Sequence, residues 1–177
     1  HVPWGSTHEK TWHLVKTLPH VSGLFVWTGF DYLGEPTPYW WPSRSSFFGI
    51  VDLAGFPKDV YYMYKSEWTD EPVLHIFPHW NWKEGERVDI WAYYNNADEV
   101  ELYLNGKSLG VRQKTDSTYH VSWRVPFTPG TLRAVSRLGG KEVLVKEIHT
   151  AGEPARLVLT PDRSVIQADG SDLSFVT

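Results

Sequence analysis

The sequence predicts a multidomain fold in which a βα unit of a parallel sheet is followed by an antiparallel β-sandwich. A short apolar run at 24–27 lies between two segments with helical spacing, and after Pro72 apolar residues recur at every second position. The 177 residues are enough for one ordinary domain and part of another. We therefore expect three regions, at 1–72, 73–152 and 153–177.

Two helices are predicted in the first region, at 7–18 and 57–68. Ser6 and Glu9 have the spacing of a capping box, which predicts the start of the first helix. Pro57, at a first-turn position, predicts the start of the second. Apolar side chains at helical spacing mark one face of each helix: Trp12, Val15 and Leu18 in the first, and Val60, Tyr61, Tyr64 and Trp68 in the second.

The apolar run at 24–27 predicts a strand buried on both faces, as in parallel sheets that helices cover. One such strand with two helices cannot form a domain, so we expect its neighbouring strands in a part of the protein outside this chain. Residues 173–177 alternate like a strand with no partner, which again indicates a piece of a longer protein. Residues 28–56 contain too many Gly and Pro for a regular element, and so long a loop is usually functional.

Period-two alternation predicts the strands of the second region. We expect them at 87–94, 99–104, 121–125, 131–138 and 141–148. Asn105-Gly106 predicts a hairpin turn. Short strands at this spacing are typical of an immunoglobulin-like antiparallel β-sandwich. Alternation resumes after residue 155, where we expect the beginning of a further β domain.

Composition excludes several classes of function. The net charge of −4, from 17 basic and 21 acidic residues, is not that of a nucleic-acid-binding protein. No apolar run reaches the ~18–20 residues of a membrane span. Without Cys the chain has no disulfide and no thiol chemistry. Ten Trp, nine Tyr and eight Phe indicate either a densely packed core or surfaces that stack on planar or sugar-like ligands.

The loop after the predicted strand holds the candidate chemistry. In β/α barrels the loops at the carboxyl ends of strands form the catalytic face, and Trp27 lies at such an end. Asp31 and Glu35 are four residues apart and flanked by aromatics, a combination that sugar cleavage uses. The alternative is that both carboxylates cap turns or pair with Arg44 or Lys58, and the residues alone favour this alternative.

We expect no metal and no cofactor. His75 and His79 are four residues apart, but Pro78 prevents the helix that would bring both to one face, and no third ligand is evident. The aromatic cluster at 79–82 is a stacking surface, core, or packing at a domain junction, and we expect the junction.

Seven runs of sequence resemble family 2 glycoside hydrolases, in the β-galactosidase branch of the Bacteroidetes type. The most specific is GLFVWTGFDYLGEPTPY at 23–39, which is similar to the eighth barrel strand and its following loop. The resemblance covers essentially the whole chain. It implies a fragment of a TIM (β/α)8 barrel at 1–72, an immunoglobulin-like β-sandwich, and the start of a second such domain. The other runs are SRSSFFGIVD at 43–52, GFPKD at 55–59, HWNW at 79–82, ELYLNGKSLG at 101–110, and LTPDR with ADG at 159–163 and 168–170.

The family implies a retaining β-glycosidase with two catalytic Glu residues. Neither Glu motif is present, so we expect both catalytic carboxylates upstream of His1 and none in this chain. Trp27 matches the strand-end Trp that lines the sugar subsite, and Asp31 matches an acidic position expected to anchor the loop or reach a sugar hydroxyl. Glu35 does not match a catalytic position and remains a candidate for substrate binding.

The resemblance also implies partners and location. The substrate would be an oligosaccharide that carries a β-galactoside, because the loop form at 34–38 differs from that of relatives acting on glucuronides and mannosides. The segment would pack on the remainder of its parent chain, in a periplasmic or secreted protein, without nucleic acid and without a membrane span.

Two non-catalytic alternatives remain for the sandwich. It could be a carbohydrate-binding module that uses Trp80, Trp82 and Trp91 as a platform, which requires these rings to be coplanar and exposed. It could instead be a structural spacer that buries them.

Overall fold

The computed structural model describes residues 5–177 and contains two helices and seven strands in that range. The helices are α1 (His8–Thr17) and α2 (Asp59–Trp68). The strands are β1 (Leu74–Phe77), β2 (Arg87–Tyr94), β3 (Glu99–Leu104), β4 (Lys107–Arg112), β5 (Val121–Pro126), β6 (Thr131–Leu138) and β7 (Lys141–His149).

The seven strands form two antiparallel sheets, with the orders β1-β2-β5 and β4-β3-β6-β7. Every strand predicted in the second region is present, and β1 and β4 are added to them. The predicted hairpin joins β3 to β4, and Asn105 and Gly106 both have positive φ, 50° and 80°, as a two-residue hairpin loop requires. The antiparallel β-sandwich is therefore confirmed.

The core of the sandwich lies between the two sheets and follows the alternation of the sequence. On β5 the inward positions are buried and the outward ones exposed, residue by residue. Ile90 and Ala92 of β2 and Val100 and Leu102 of β3 are fully buried in the same cluster. Burial of this apolar surface stabilises the sandwich independently of what precedes it in the chain.

Helix α1 begins one residue later than the capping box predicts. Thr7 is the N-cap, and its hydroxyl accepts a hydrogen bond from the Lys10 amide at 3.3 Å. Glu9 does not fold back onto the cap, because its carboxylate instead accepts hydrogen bonds from the sandwich. Tyr93 donates to it at 2.9 Å, and His120 Nδ1 lies 2.8 Å away.

Residues 24–27 do not form a regular strand, and no strand pairs with them in residues 5–177. Leu24 and Val26 are half-buried, whereas Phe25 and Trp27 point away from the rest of the structure and are exposed. Only one face of the segment is covered by the described residues, so burial on both faces, which requires strands outside this chain, stays a prediction. A strand needs neighbours to hydrogen-bond its backbone, and the described residues supply none.

The remaining loop segments carry only isolated bridges. Residues 28–56 contain no helix and no regular strand, as predicted. Residues 151–177 are largely exposed, and Pro161 and Val176 form an isolated antiparallel bridge there. The expected start of a further β domain is thus not formed as regular strands. Among the described residues, no helix is long and apolar enough to cross a bilayer.

Both helices pack on the outer face of the three-stranded sheet. Met63 and Tyr64 of α2 are buried against Tyr93 of β2 and against Tyr119, which precedes β5. We call this surface the helix–sandwich junction. It fixes the first region of the chain to the sandwich.

Candidate functional site

The backbone just after Trp27 is fixed by a parallel pairing with residues 49–51. Phe30 and Val51 form a parallel bridge. The Ile50 amide donates to the Thr28 carbonyl at 3.0 Å, and the Asp31 amide donates to the Val51 carbonyl at 2.9 Å. The loop therefore leaves Trp27 in a defined direction, although it contains no regular element.

Asp31 is buried, and the protein itself binds both of its carboxylate oxygens. Oδ1 accepts from the Gly49 amide at 2.8 Å and lies 3.5 Å from the Ser46 hydroxyl. Oδ2 lies 2.6 Å from the Lys58 ammonium. Of the two roles expected for Asp31, this geometry fits the anchor of the loop, because both carboxylate oxygens contact groups of the protein itself.

Gly49 allows this close approach. An ideal Cβ at position 49 would lie 2.3 Å from the Asp31 amide nitrogen and 2.8 Å from its Oδ1. No side chain fits there without displacing backbone. Sequence reasoning did not single out Gly49 or Ser46, since their contacts with Asp31 span 18 and 15 residues without a local signal.

Trp27 is 75% exposed at the end of the fixed segment. The peptide bond between Trp27 and Thr28 is cis. Residues 49–51 hold the backbone that follows Trp27, so the exposed indole is attached next to a fixed segment of the chain. Such a surface can stack on the C–H face of a sugar.

Glu35 lies in a separate environment from Asp31. It is exposed, has a positive φ of 44°, and follows Gly34 with φ of 95°. Its carboxylate accepts a hydrogen bond from the Tyr32 hydroxyl. Asp31 is buried and Glu35 is exposed, and the two carboxylates share no hydrogen-bond partner in the described residues.

Further aromatic side chains are exposed along the same loop. Trp40 and Trp41 are both largely exposed, and the Arg44 guanidinium lies 4.7 Å from the centre of the Trp41 ring. The Tyr39 and Phe47 rings pack edge to face, with centroids 4.7 Å apart. The loop is consequently an aromatic surface with few charges.

The three Trp residues of the alternative platform do not form one. Trp80 is 1% exposed, packs on Phe127, and donates its indole N–H to the Thr128 carbonyl at 3.0 Å. Trp82 stacks on His79, and Trp91 stacks on His120. Core packing thus explains Trp80, and the carbohydrate-binding module is not favoured.

The histidines considered for a metal have other neighbours. His75 Nε2 lies 2.8 Å from Asp59 Oδ1, and the ring stacks on Tyr62. Within residues 5–177, no three His, Asp or Glu side chains converge in a way that could hold a metal ion.

The helix–sandwich junction contains several buried polar groups. Burial alone would raise the pKa of Glu67, but hydrogen bonds from Trp12 and Lys16 hold that pKa below its usual value. Burial lowers the pKa of Lys114, although Glu67 opposes this shift. Burial also raises the pKa of Tyr64 to about 12, so its hydroxyl stays neutral.

His8, which is half-buried, lies beside this group of polar side chains. Its Nδ1 lies 2.9 Å from the Tyr64 hydroxyl. Burial lowers the pKa of His8, which favours the neutral imidazole in the folded protein.

Comparison with known proteins gives matches along the whole chain. A family described as "Domain of unknown function (DUF4982)" matches residues 85–144, within the sandwich. A protein named "Beta-galactosidase BoGH2A", from Bacteroides ovatus, is 64% identical over 177 residues, covering 100% of this chain and 21% of that protein. A "Putative beta-glucuronidase" from Formosa agariphila is 42% identical over 157 residues, covering 84% of this chain and 15% of that protein.

Solved structures agree with these relatives. The crystal structure of a glycosyl hydrolase family 2 member from Bacteroides cellulosilyticus matches with a TM-score of 0.81 and 32% identity, covering 95% of this chain and 26% of that one. The chain thus spans about a fifth of the first relative and about a quarter of this structure. It is homologous, over its entire length, to a segment of the family 2 glycoside hydrolases.

Proposed function

We propose that this chain is a segment of a retaining β-galactosidase that cleaves β-galactosides in oligosaccharides. In the complete enzyme, one Glu donates a proton to the glycosidic oxygen while a second Glu attacks the anomeric carbon. Retention requires the two carboxyl groups to be about 5–5.5 Å apart. Both lie outside this chain, which contributes one wall of the sugar pocket and an accessory sandwich.

The observation that carries the proposal is the exposed indole of Trp27 on an anchored loop. A stacking surface must be both open to the ligand and fixed in direction, since a ring that rotates freely loses entropy on binding. The indole is 75% exposed, and its loop is held by the buried Asp31 carboxylate.

The first region fits the last βα unit of a TIM barrel. Residues 24–27 alternate between half-buried and exposed side chains, which is the period of a strand. Neighbouring strands from the rest of the enzyme would cover Phe25 and pair with the free backbone. The sandwich at 73–152 would then support the barrel, and 153–177 would begin a further domain.

Hydrolysis of β-glucuronides is the second candidate, since one relative is named a putative beta-glucuronidase. A glucuronide carries a carboxylate that a cation would have to bind. The two cations in or beside the loop are engaged: Arg44 lies over Trp41, and Lys58 pairs with Asp31. This favours a neutral sugar such as galactose.

The proposal is tested with Trp27→Ala in the full-length enzyme, with Trp27→Phe as the matched control. We expect kcat/KM for an aryl β-galactoside to fall about tenfold in Trp27→Ala, the size of an aromatic stacking contribution, and Trp27→Phe to keep most of it. Unchanged kcat/KM in Trp27→Ala would remove this residue from the site. Preference of the wild type for an aryl β-glucuronide would select the second candidate.

A periplasmic or secreted location is part of the proposal, and cell fractionation of the source organism tests it. Enzyme found only in the cytoplasmic fraction would contradict it.

A further inference from the structure

Lys58 is the residue just before helix α2, and it contacts three separate parts of the loop. Its ammonium lies 2.6 Å from Asp31 Oδ2 and donates to the Phe47 carbonyl at 3.0 Å. Its backbone N–H donates to the Ile50 carbonyl at 2.9 Å. The Lys58 side chain is 30% exposed and that of Asp31 is 6% exposed, so the ion pair is mostly shielded from water.

The partners of Lys58 are the residues that hold the backbone after Trp27. Asp31 donates its amide to Val51, and Ile50 donates its amide to Thr28. A displacement of the Lys58 ammonium therefore moves both segments of the parallel pairing, 28–31 and 49–51. Thr28, the residue that follows Trp27, belongs to the first segment.

The base of Lys58 is fixed by the sandwich. Asp59, the next residue, lies 2.8 Å from His75 of β1. At the other end of α2, Glu67 accepts hydrogen bonds from Trp12 and Lys16. Contacts at both ends therefore hold helix α2 in place, and Lys58 directly precedes its first residue.

We propose that Lys58 is a positioning residue that fixes the direction of the Trp27 indole through Asp31. This inference rests on the proposed function, because Trp27 is the group that would touch the sugar. Without the ammonium, Asp31 would be a buried carboxylate with no counter-charge, a state that proteins avoid by moving the group, hydrating it or protonating it. Each of these responses loosens the pairing of 28–31 with 49–51.

The test compares Lys58→Met with Lys65→Met in the full-length enzyme. Lys65 is the matched control, because it lies on helix α2, which Lys58 directly precedes, and also forms an ion pair, with Glu71 at 2.7 Å, but not with the loop. We expect Lys58→Met to speed hydrogen exchange of the amides at 28–31 and 49–51 at least about tenfold. We expect KM for an aryl β-galactoside to rise about tenfold, with a smaller change in kcat, since stacking acts on bound substrate and transition state alike.

Lys58→Arg separates positioning from folding. It keeps a cation beside Asp31, so it should restore slow exchange and most of the affinity. Lys65→Met should leave both measurements at the wild-type value.

Unchanged exchange in Lys58→Met would overturn the proposal whatever the activity. Faster exchange with an unchanged KM would overturn the link between the loop anchor and substrate. Wild-type enzyme that cleaves no β-galactoside would instead overturn the proposed function, and the exchange data would then decide the anchoring role alone.

Discussion

Asp31 shows how burial decides the role of a carboxylate. By sequence it resembles one half of a catalytic pair, since Glu35 follows four residues later. In the structure, Lys58 and the Gly49 amide occupy its two oxygens, and the Glu35 carboxylate faces Tyr32 instead. A carboxylate held by a cation and a backbone amide organises the loop around it.

Gly49→Ala is predicted to loosen this anchor. The added Cβ would lie 2.5 Å or less from two backbone atoms, so the chain has to shift. We expect the opening free energy of the Asp31 and Val51 amides to fall by about 1–3 kcal/mol, the usual cost of overpacking. Native-state hydrogen exchange measures it. Gly23→Ala is the control, because nothing lies within 4 Å of a Cβ at that position.

At the scale of elements, the helix–sandwich junction is held by polar groups as much as by apolar contacts. Glu67 of α2 joins Trp12 and Lys16 of α1, and it lies 3.7 Å from Lys114 of the sandwich region. Since α1 has no buried residue, its position depends on such hydrogen bonds and on half-buried rings.

Glu67→Gln is predicted to weaken the junction. The amide can still accept from Trp12, but Lys114 and Lys16 lose their shared counter-charge. We expect the free energy of unfolding to fall by about 1–3 kcal/mol, as when a partly buried charge is left without a partner. Urea titration at pH 7 measures the change. Glu71→Gln, which alters an exposed ion pair, should leave the free energy of unfolding nearly unchanged.

Acid is predicted to destabilise the junction in two steps. Folding lowers the pKa of His8 from 6.5, so below pH 6.5 the unfolded chain binds a proton at His8 more readily than the folded chain does. The free energy of unfolding therefore decreases as pH falls below 6.5. The pKa of Glu67 is lowered from 4.5, so its contribution is present above 4.5 and is lost as pH falls through the folded value. Urea titrations across this range should show both losses.

A matched variant identifies the first step. His8→Gln should remove the decrease in the free energy of unfolding that begins near pH 6.5. The decrease below pH 4.5 should remain. A free energy of unfolding that stays flat, or rises, between pH 7 and pH 5.5 would contradict the assignment to His8.

The sequence predicted most strands of the sandwich but not β1 and β4, although their partners β2 and β3 also lie within the chain. The alternation in β2, β3, β5, β6 and β7 predicted their strands, because each buries one face against the opposite sheet. The strand predicted at 24–27 is not formed here, because no strand among the described residues pairs with it. The helix cap at Thr7 instead of Ser6 and the neighbours of Asp31 also escaped prediction, because both depend on contacts that are distant in sequence.

For the whole molecule, we predict that catalysis depends on residues outside this chain. We predict that the isolated 177-residue chain does not hydrolyse an aryl β-galactoside, because its candidate carboxylates are an anchored Asp31 and an exposed Glu35 without a partner acid. A release assay with the purified chain measures this, with the full-length enzyme as the positive control. Hydrolysis by the chain alone would make Asp31 and Glu35 candidates for the catalytic carboxylates.

The most direct measurement is a crystal structure of the full-length enzyme with bound galactose. We predict that residues 24–27 pair with parallel strands on both sides. We also predict that the Trp27 indole contacts the sugar ring within about 4.5 Å. A structure in which this segment lies at an open sheet edge, or in which galactose binds away from Trp27, would contradict the account.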